Sequence, residues 1–319
     1  MARKNWNYLK SEHYADFANY LTNFTEEHRK LGLELYAISP QNEPEYGTTD
    51  WDGCIWWPHQ TAKFVKDFLK PTLLKRNFRT KVIIGETGNW NVAHGYLVST
   101  SLFLKENDFD IYASHGYSLP DFPRFETVTY NTRVIPWVEA ALYKKERWIT
   151  EASATDKYDP TIVKGIEMAN SIIKFLVKGY VNGYIFWCSV INVLRNEGLI
   201  VVHGNDSYTL PKVYDVYGQF TRNIKQGNIR AKAFTKSSDI NVVVFKDENK
   251  KSFSVVVTNF SQKSLNVQLV FDKLTITSPS ATITDKNKKW YPLQISMKDN
   301  KIIFSMTPMS VVTVVGFYK

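Results

Sequence analysis

Glu43 and Glu151 are the residues of this chain best placed to do chemistry. Each closes an apolar run: Leu35-Tyr36-Ala37-Ile38 stops at Ser39-Pro40-Gln41-Asn42-Glu43-Pro44-Glu45, and Arg147-Trp148-Ile149-Thr150 stops at Glu151. An acid at the end of a buried strand stands at the mouth of a sheet, and Pro44 fixes the backbone just past the first of them. The ends of parallel strands are where α/β enzymes keep their reacting groups. A lone Glu-Pro is as readily a turn; a second strand with the same ending shifts the reading toward a pair. Two such carboxylates can divide the work, one protonating a leaving oxygen while the other attacks the carbon it leaves. Glu86 ends a third strand and is a rival, though a hydrogen-bonded acid at the rim is the plainer reading of it.

The elements that must position these acids are legible in the periodicity. Apolar strand patterns cover residues 33–39, 81–85, 111–115, 147–150 and 184–187. Between and around them lie helical patterns at 11–31, 59–74, 96–105, 133–143, 162–178 and 213–224. The first helix sets Tyr14, Phe17, Leu21, Phe24 and Leu31 at helical spacing, with Gly32 as its stop. Strands alternating with helices at this spacing predict about five parallel βα units. From residue 229 the texture changes to short β-branched runs at 241–245, 252–259, 265–271, 281–284, 302–306 and 311–317. That predicts an all-β sandwich over 229–319, following an α/β domain over 1–228.

Composition narrows the function classes. With 319 residues, 44% hydrophobic and 14% aromatic, the chain can bury a sizeable core. No stretch approaches the ~20 apolar residues of a transmembrane span, and the first residues carry no apolar leader. Two cysteines and six scattered histidines suggest neither a disulfide scaffold nor a metal site, and no dinucleotide, phosphate-loop or nucleic-acid motif appears, so no cofactor is expected. The net charge of +9 is uneven: residues 229–319 hold 14 Lys and Arg against 6 Asp and Glu. A basic module can favour an acidic polymer, or its lysines can simply blunt exposed strand edges.

Four motifs occur together in order: Ala37 to Tyr46 with Asn42-Glu43-Pro44 at its centre, Ser114-His115-Gly116-Tyr117, Trp148-Ile149-Thr150-Glu151, and Phe186-Trp187. In sequence and context they resemble glycoside hydrolase family 30, a group of retaining β-glycosidases built on a (β/α)8 TIM barrel with a β side domain. The segments from Glu197 to Ile200, Ser207-Tyr208 and Tyr217 to Phe220 resemble the crossover into that side domain. The resemblance implies Glu43 as acid/base and Glu151 as nucleophile. It also implies Asn42 on the sugar 2-hydroxyl, Tyr117 on the nucleophile, and Trp187 flooring the pocket. His115, Trp57 and Trp90 are further candidates for substrate contact, while Trp51 and Trp56 in the same aromatic loop are as readily anchors or core.

What this implies is hydrolysis of a β-linked cell-wall polysaccharide of xylan or β-1,6-galactan type, by double displacement. A glucosylceramidase-like activity on a glycolipid, or a non-catalytic carbohydrate-binding role, are the alternatives. Secretion follows from the family rather than from any segment here. Residues 189–205 should help set specificity; they lack the Arg-Arg pair that would argue for glucuronate recognition, and Arg195 reads as a solvated loop residue. An eight-stranded barrel needs three units before the strand carrying Glu43, and no residue stands for the family's early sugar-binding arginine. The expectation is therefore a C-terminal portion of a barrel, strands four to eight, with two long unpaired edges.

Overall fold

The computed structural model describes residues 8–47, 53–118, 130, 133–137, 140, 144–204 and 206–319. Their contacts separate into two compact units. One holds Met1–Leu119, Thr132–Ala152 and Lys178–Phe186; the other holds Ser153–Val177 and Trp187–Lys319.

The first unit is built on five strands: β1 (Ala37–Ile38), β2 (Lys81–Asn89), β3 (Ile111–Tyr117), β4 (Glu146–Glu151) and β5 (Gly183–Tyr184). They form one parallel sheet in the order β1-β2-β3-β4-β5, the arrangement of successive βα units in a half-barrel. Six successive residues of β3 are buried, as parallel strands covered on both faces require. Ile83, Ile111 and Ala113 pack on one face with Ala37 and Trp148. The period of two sends Val82, Ile84 and Tyr112, all fully buried, to the other. The sheet's edges are not long, contrary to expectation: β1 and β5 have two residues each, which leaves little backbone free to pair.

Among the described residues the helices that accompany this sheet include α1 (Tyr14–Lys30), α2 (Pro58–Phe64), α3 (Lys70–Lys75) and α4 (Trp90–Ser101). The buried stripe of α1 is Tyr14, as expected, with Ala18, Thr22 and Thr25; Phe17 and Leu21 are half-buried, while Phe24 and Leu31 are exposed. The two threonines can turn inward because each hydroxyl donates to a carbonyl one turn back, Ala18 O at 2.8 Å and Leu21 O at 3.0 Å. A π-turn at Val65–Leu69 separates α2 from α3 and leaves Pro71 in the first turn of α3, where its missing N–H costs nothing. Helix α4 starts at Trp90, earlier than the periodicity suggests, because Asn89 caps it: Oδ1 accepts from the amides of Asn91 and Val92. Residues 133–137 hold no helix, and most of the remaining helix expected at 133–143 lies outside the described residues.

The second unit contains α5 (Ile162–Lys178, clustered through Val177), α6 (Lys212–Thr221) and a small sheet of β6 (Val190–Ile191), β7 (Ile200–His203) and β8 (Ser207–Thr209). Nine further strands follow: β9 (Ile229–Ala231), β10 (Ile240–Asp247), β11 (Ser252–Asn259), β12 (Leu265–Val270), β13 (Ile276–Thr284), β14 (Tyr291–Leu293), β15 (Ser296–Lys298), β16 (Lys301–Met306) and β17 (Ser310–Tyr318). They make a six-stranded sheet, β14-β13-β17-β11-β10-β9, and a three-stranded one, β12-β16-β15. Val255, Val257, Ile283, Val312 and Val314 of the first share one core with Ile302, Phe304 and Met306 of the second, which is a sandwich. The fully buried Gln219 ties α6 to it, donating to Thr284 Oγ1 and accepting from Thr282 Oγ1. Asn170 on α5 accepts from Asn241 and Thr258. Among the described residues no helix is long and apolar enough to cross a membrane.

Candidate active site

The C-terminal ends of β2, β3 and β4 are irregular in a way that matters. Against β3, residue Glu86 is extra in β2 and Thr150 is extra in β4, beside His115. Such bulges re-aim side chains. Glu86 takes φ +60, and Gly85 before it takes φ +107, where an added Cβ would meet Ala113 O at 2.2 Å. Glu43, just past β1, also has positive φ, and its amide donates to Glu86 O at 3.0 Å.

These turns bring three carboxylates to one imidazole. Nδ1 of His115 lies 3.1 Å from Glu43 Oε1 and 3.8 Å from Glu151 Oε1, while Nε2 lies 3.6 Å from Glu86 Oε2. Thr150 Oγ1 donates to that same Glu86 oxygen at 3.0 Å. Tyr117 stands edge-on to His115, and its hydroxyl donates to Glu151 Oε1 at 2.5 Å. Burial pulls the pKa of His115 down, but Glu43, Glu86 and Glu151 outweigh it and push the ring up to about 10, so at neutral pH both nitrogens donate. Burial raises Glu151, with Glu43 and Glu86 adding to it, whereas the His115 cation and the Tyr117 hydroxyl favour the ionised form.

A fourth carboxylate, Glu45, carries no role in the sequence reading. Its Oε1 accepts from the Gly88 amide at 2.7 Å, while its Oε2 is buried without a hydrogen-bond partner. Burial pushes its pKa up to about 7, the neighbouring Glu43 charge adding and the Gly88 amide and His115 opposing. Gly88 sits between two acids, because an added Cβ would lie 3.0 Å from Glu43 Oε1 and 3.7 Å from Glu45 Oε1. The signal available in sequence was a second acid two residues after the first, in a motif already singled out.

The remaining candidates separate. Asn42 is exposed next to Glu43, and Trp57 is 53% exposed at the start of α2. Two expectations need correction. Trp90 is fully buried, stacked on Trp137 at 3.6 Å between centroids, so its faces are taken by the core and cannot hold a sugar. His115 is 1% exposed and turned to carboxylates on both nitrogens, so it touches acids rather than substrate. Trp56 is core, and Trp51 lies outside the described residues. Trp187 belongs to the second unit and is 47% exposed; Arg195, in the same unit, is exposed beside Glu197. Glu86 is hydrogen-bonded as expected, yet buried rather than at a rim.

A parallel half-barrel sheet with acids gathered at its strand ends has its carboxylates where barrel enzymes keep their reacting groups. Residues 1–101 match the family described as O-Glycosyl hydrolase family 30. Glucuronoxylanase XynC of Bacillus subtilis is 24% identical over 96% of this chain and 67% of its own length. A Caenorhabditis elegans protein named for glucosylceramidase is 22% identical over 81% of this chain and 52% of its own. The catalytic domain of the family 30 xylanase C from Talaromyces cellulolyticus superposes with a TM-score of 0.84 at 19% identity, over 98% of this chain and 71% of that one. The chain is thus similar to glycosidases of family 30, which its sequence motifs also resemble.

Proposed function

We propose that the chain is a retaining β-glycosidase acting on a β-linked cell-wall polysaccharide of xylan or β-1,6-galactan type, with Glu43 as acid/base and Glu151 as nucleophile. The observation that carries this is the meeting of both carboxylates on one nitrogen of His115, at 3.1 and 3.8 Å. Their Oε1 atoms can be no farther apart than those two distances laid end to end. That favours the ~5–5.5 Å of retaining enzymes over most of the ~6.5–9.5 Å range of inverting ones.

The surroundings suit the two roles. Tyr117 and the His115 cation favour an ionised Glu151, the form that attacks the anomeric carbon. His115 Nδ1–H donates to Glu43 Oε1, so the proton that Glu43 delivers to the glycosidic oxygen is carried on Oε2. The C1–O bond breaks as the Glu151–C1 bond forms, and the leaving sugar departs with the proton. Glu43, now ionised, takes a proton from water, whose oxygen displaces Glu151 from C1 and restores the starting configuration. Asn42 would hold the 2-hydroxyl, with Trp57 as a stacking face. A polysaccharide substrate of this kind places the protein outside the cell.

The XynC relative is a glucuronoxylanase, but residues 189–205 here hold a single arginine, Arg195, which supports plain xylan over glucuronate-directed cutting. The relative named for glucosylceramidase favours glycolipid hydrolysis as the second reading. Sugar release from plain and glucuronate-bearing xylan, β-1,6-galactan and glucosylceramide decides between them. Glu43→Gln and Glu151→Gln should each lower turnover about 100-fold or more on the substrate that reacts. Turnover that survives both substitutions would refute the assignment, and binding without turnover by the unaltered chain would make it a carbohydrate-binding protein.

A further inference from the structure

Among the carboxylates gathered at the strand ends, Glu86 has no part in the reaction as written, yet it is the one most constrained. It is 6% exposed, occupies the extra position of the β2 bulge, and keeps a positive φ that side-chain-bearing residues rarely adopt. Strain held at such a position is tolerated when the surroundings fix it and is enriched near functional groups. Gly85, where a Cβ would strike Ala113 O, permits the bulge.

Glu86 then reaches Glu43 by two routes. Its backbone carbonyl accepts the Glu43 amide at 3.0 Å, setting the turn from which the Glu43 side chain projects. Its Oε2 faces Nε2 of His115, whose Nδ1 holds Glu43 Oε1. Thr150 Oγ1 donates to the same Oε2 and fixes the carboxylate against the ring. Its Oε1 is buried with no hydrogen-bond partner, so the carboxylate's close polar contacts lie on the Oε2 side. We propose that Glu86 is the positioning residue of this site, fixing Glu43 through its own carbonyl and, through His115, setting the charge that faces both Glu43 and Glu151.

The proposal rests on the reading of Glu43 and Glu151 as acid/base and nucleophile. The carboxylates facing His115 are Glu43, Glu86 and Glu151, with Tyr117 edge-on to its ring and Glu45 near enough for the two charges to interact. Two different consequences of Glu86→Gln separate positioning from bulk charge. If Glu86 holds His115 and Glu43 in place, the isosteric amide lowers the pH at which the ring loses its proton, and the plateau of kcat/KM falls because Glu43 is held less firmly. If Glu86 is merely one more negative charge near Glu151, its removal moves the acid limb of kcat/KM to lower pH and leaves the plateau unchanged.

The experiment is 15N NMR of the His115 imidazole across pH 5–10, paired with pH profiles of kcat/KM on the substrate that reacts. The unaltered protein should show a doubly protonated ring at pH 7. In Glu86→Gln the ring should titrate at least about one pH unit lower, a tenfold loss of proton affinity, and the plateau of kcat/KM should fall, with kcat falling more than KM changes. Thr150→Val, which removes only the donor that orients Glu86, should shift both in the same direction by less, and serves if the glutamine variant does not fold. A neutral ring in the unaltered protein, an unmoved ring in the variants, or an acid limb that moves under an unchanged plateau would each overturn the proposal. Should no substrate react, the glycosidase reading fails on its own, while the NMR titration still decides whether Glu86 governs His115.

Discussion

At the scale of single residues, Glu45 shows how burial creates a titration at neutral pH. Its pKa of about 7 lies above that of a glutamate in an unfolded chain, so between the two the folded protein keeps a proton that the unfolded chain has released. Stability from this group is complete below about pH 4.5 and is lost as pH rises through about 7. His115, raised to about 10, has the same sign in a higher window: its contribution is present below about 6.5 and fades as pH rises toward 10. Glu45→Gln keeps the shape and removes the titration. We expect its melting temperature to vary less between pH 5 and 7 than the wild type's, and to exceed it at pH 7, in fluorimetric melting curves. Equal slopes would mean that Glu45 is ionised in the folded protein. Glu43 and Glu151 stand out in the sequence because each closes an apolar run, and Tyr117 only through the family resemblance; the burial of Glu45 does not, because nothing local says that a neighbouring acid is buried.

At the scale of elements, β2 decides the site. Its first five residues form an apolar run that any strand reading finds, but the bulge at Glu86 follows from Gly85, whose φ of +107 and contact with Ala113 O exclude a side chain. Gly85→Ala should therefore lower unfolding free energy by about 3 kcal/mol or more, through overpacking and backbone strain together. Urea denaturation would show the midpoint falling with the slope unchanged. An alanine variant as stable as the wild type would mean that β2 relaxes without the bulge. Helix boundaries followed the same logic: α5 was readable from its strong amphipathic period, whereas α4 begins six residues before its apolar pattern because a cap, Asn89, sets the start. The stripe of α1 was misread for a related reason, since inward-facing threonines satisfied by their own helix do not look apolar.

At the scale of the whole molecule, each unit carries its own core. In the second, Phe304 is 3% exposed between the two sheets, and Phe304→Ala should cost about 3–5 kcal/mol, read as a lower denaturation midpoint. A cost near zero would mean the sheets close over the space. The sequence by itself determined the order of the strands, their parallel and then antiparallel character, and which acids stand at strand ends, because hydrophobic period and turn chemistry are local properties. Only the tertiary structure decided that Glu43, Glu86 and Glu151, from three different strand ends, share one buried histidine, and that Trp90 is core. Adjacency across parallel strands depends on register, and here register is shifted by bulges that place Glu86 and Thr150 as extra residues. A one-residue slip turns a side chain to the opposite face, so the same motifs in a different register would leave His115 without its carboxylates.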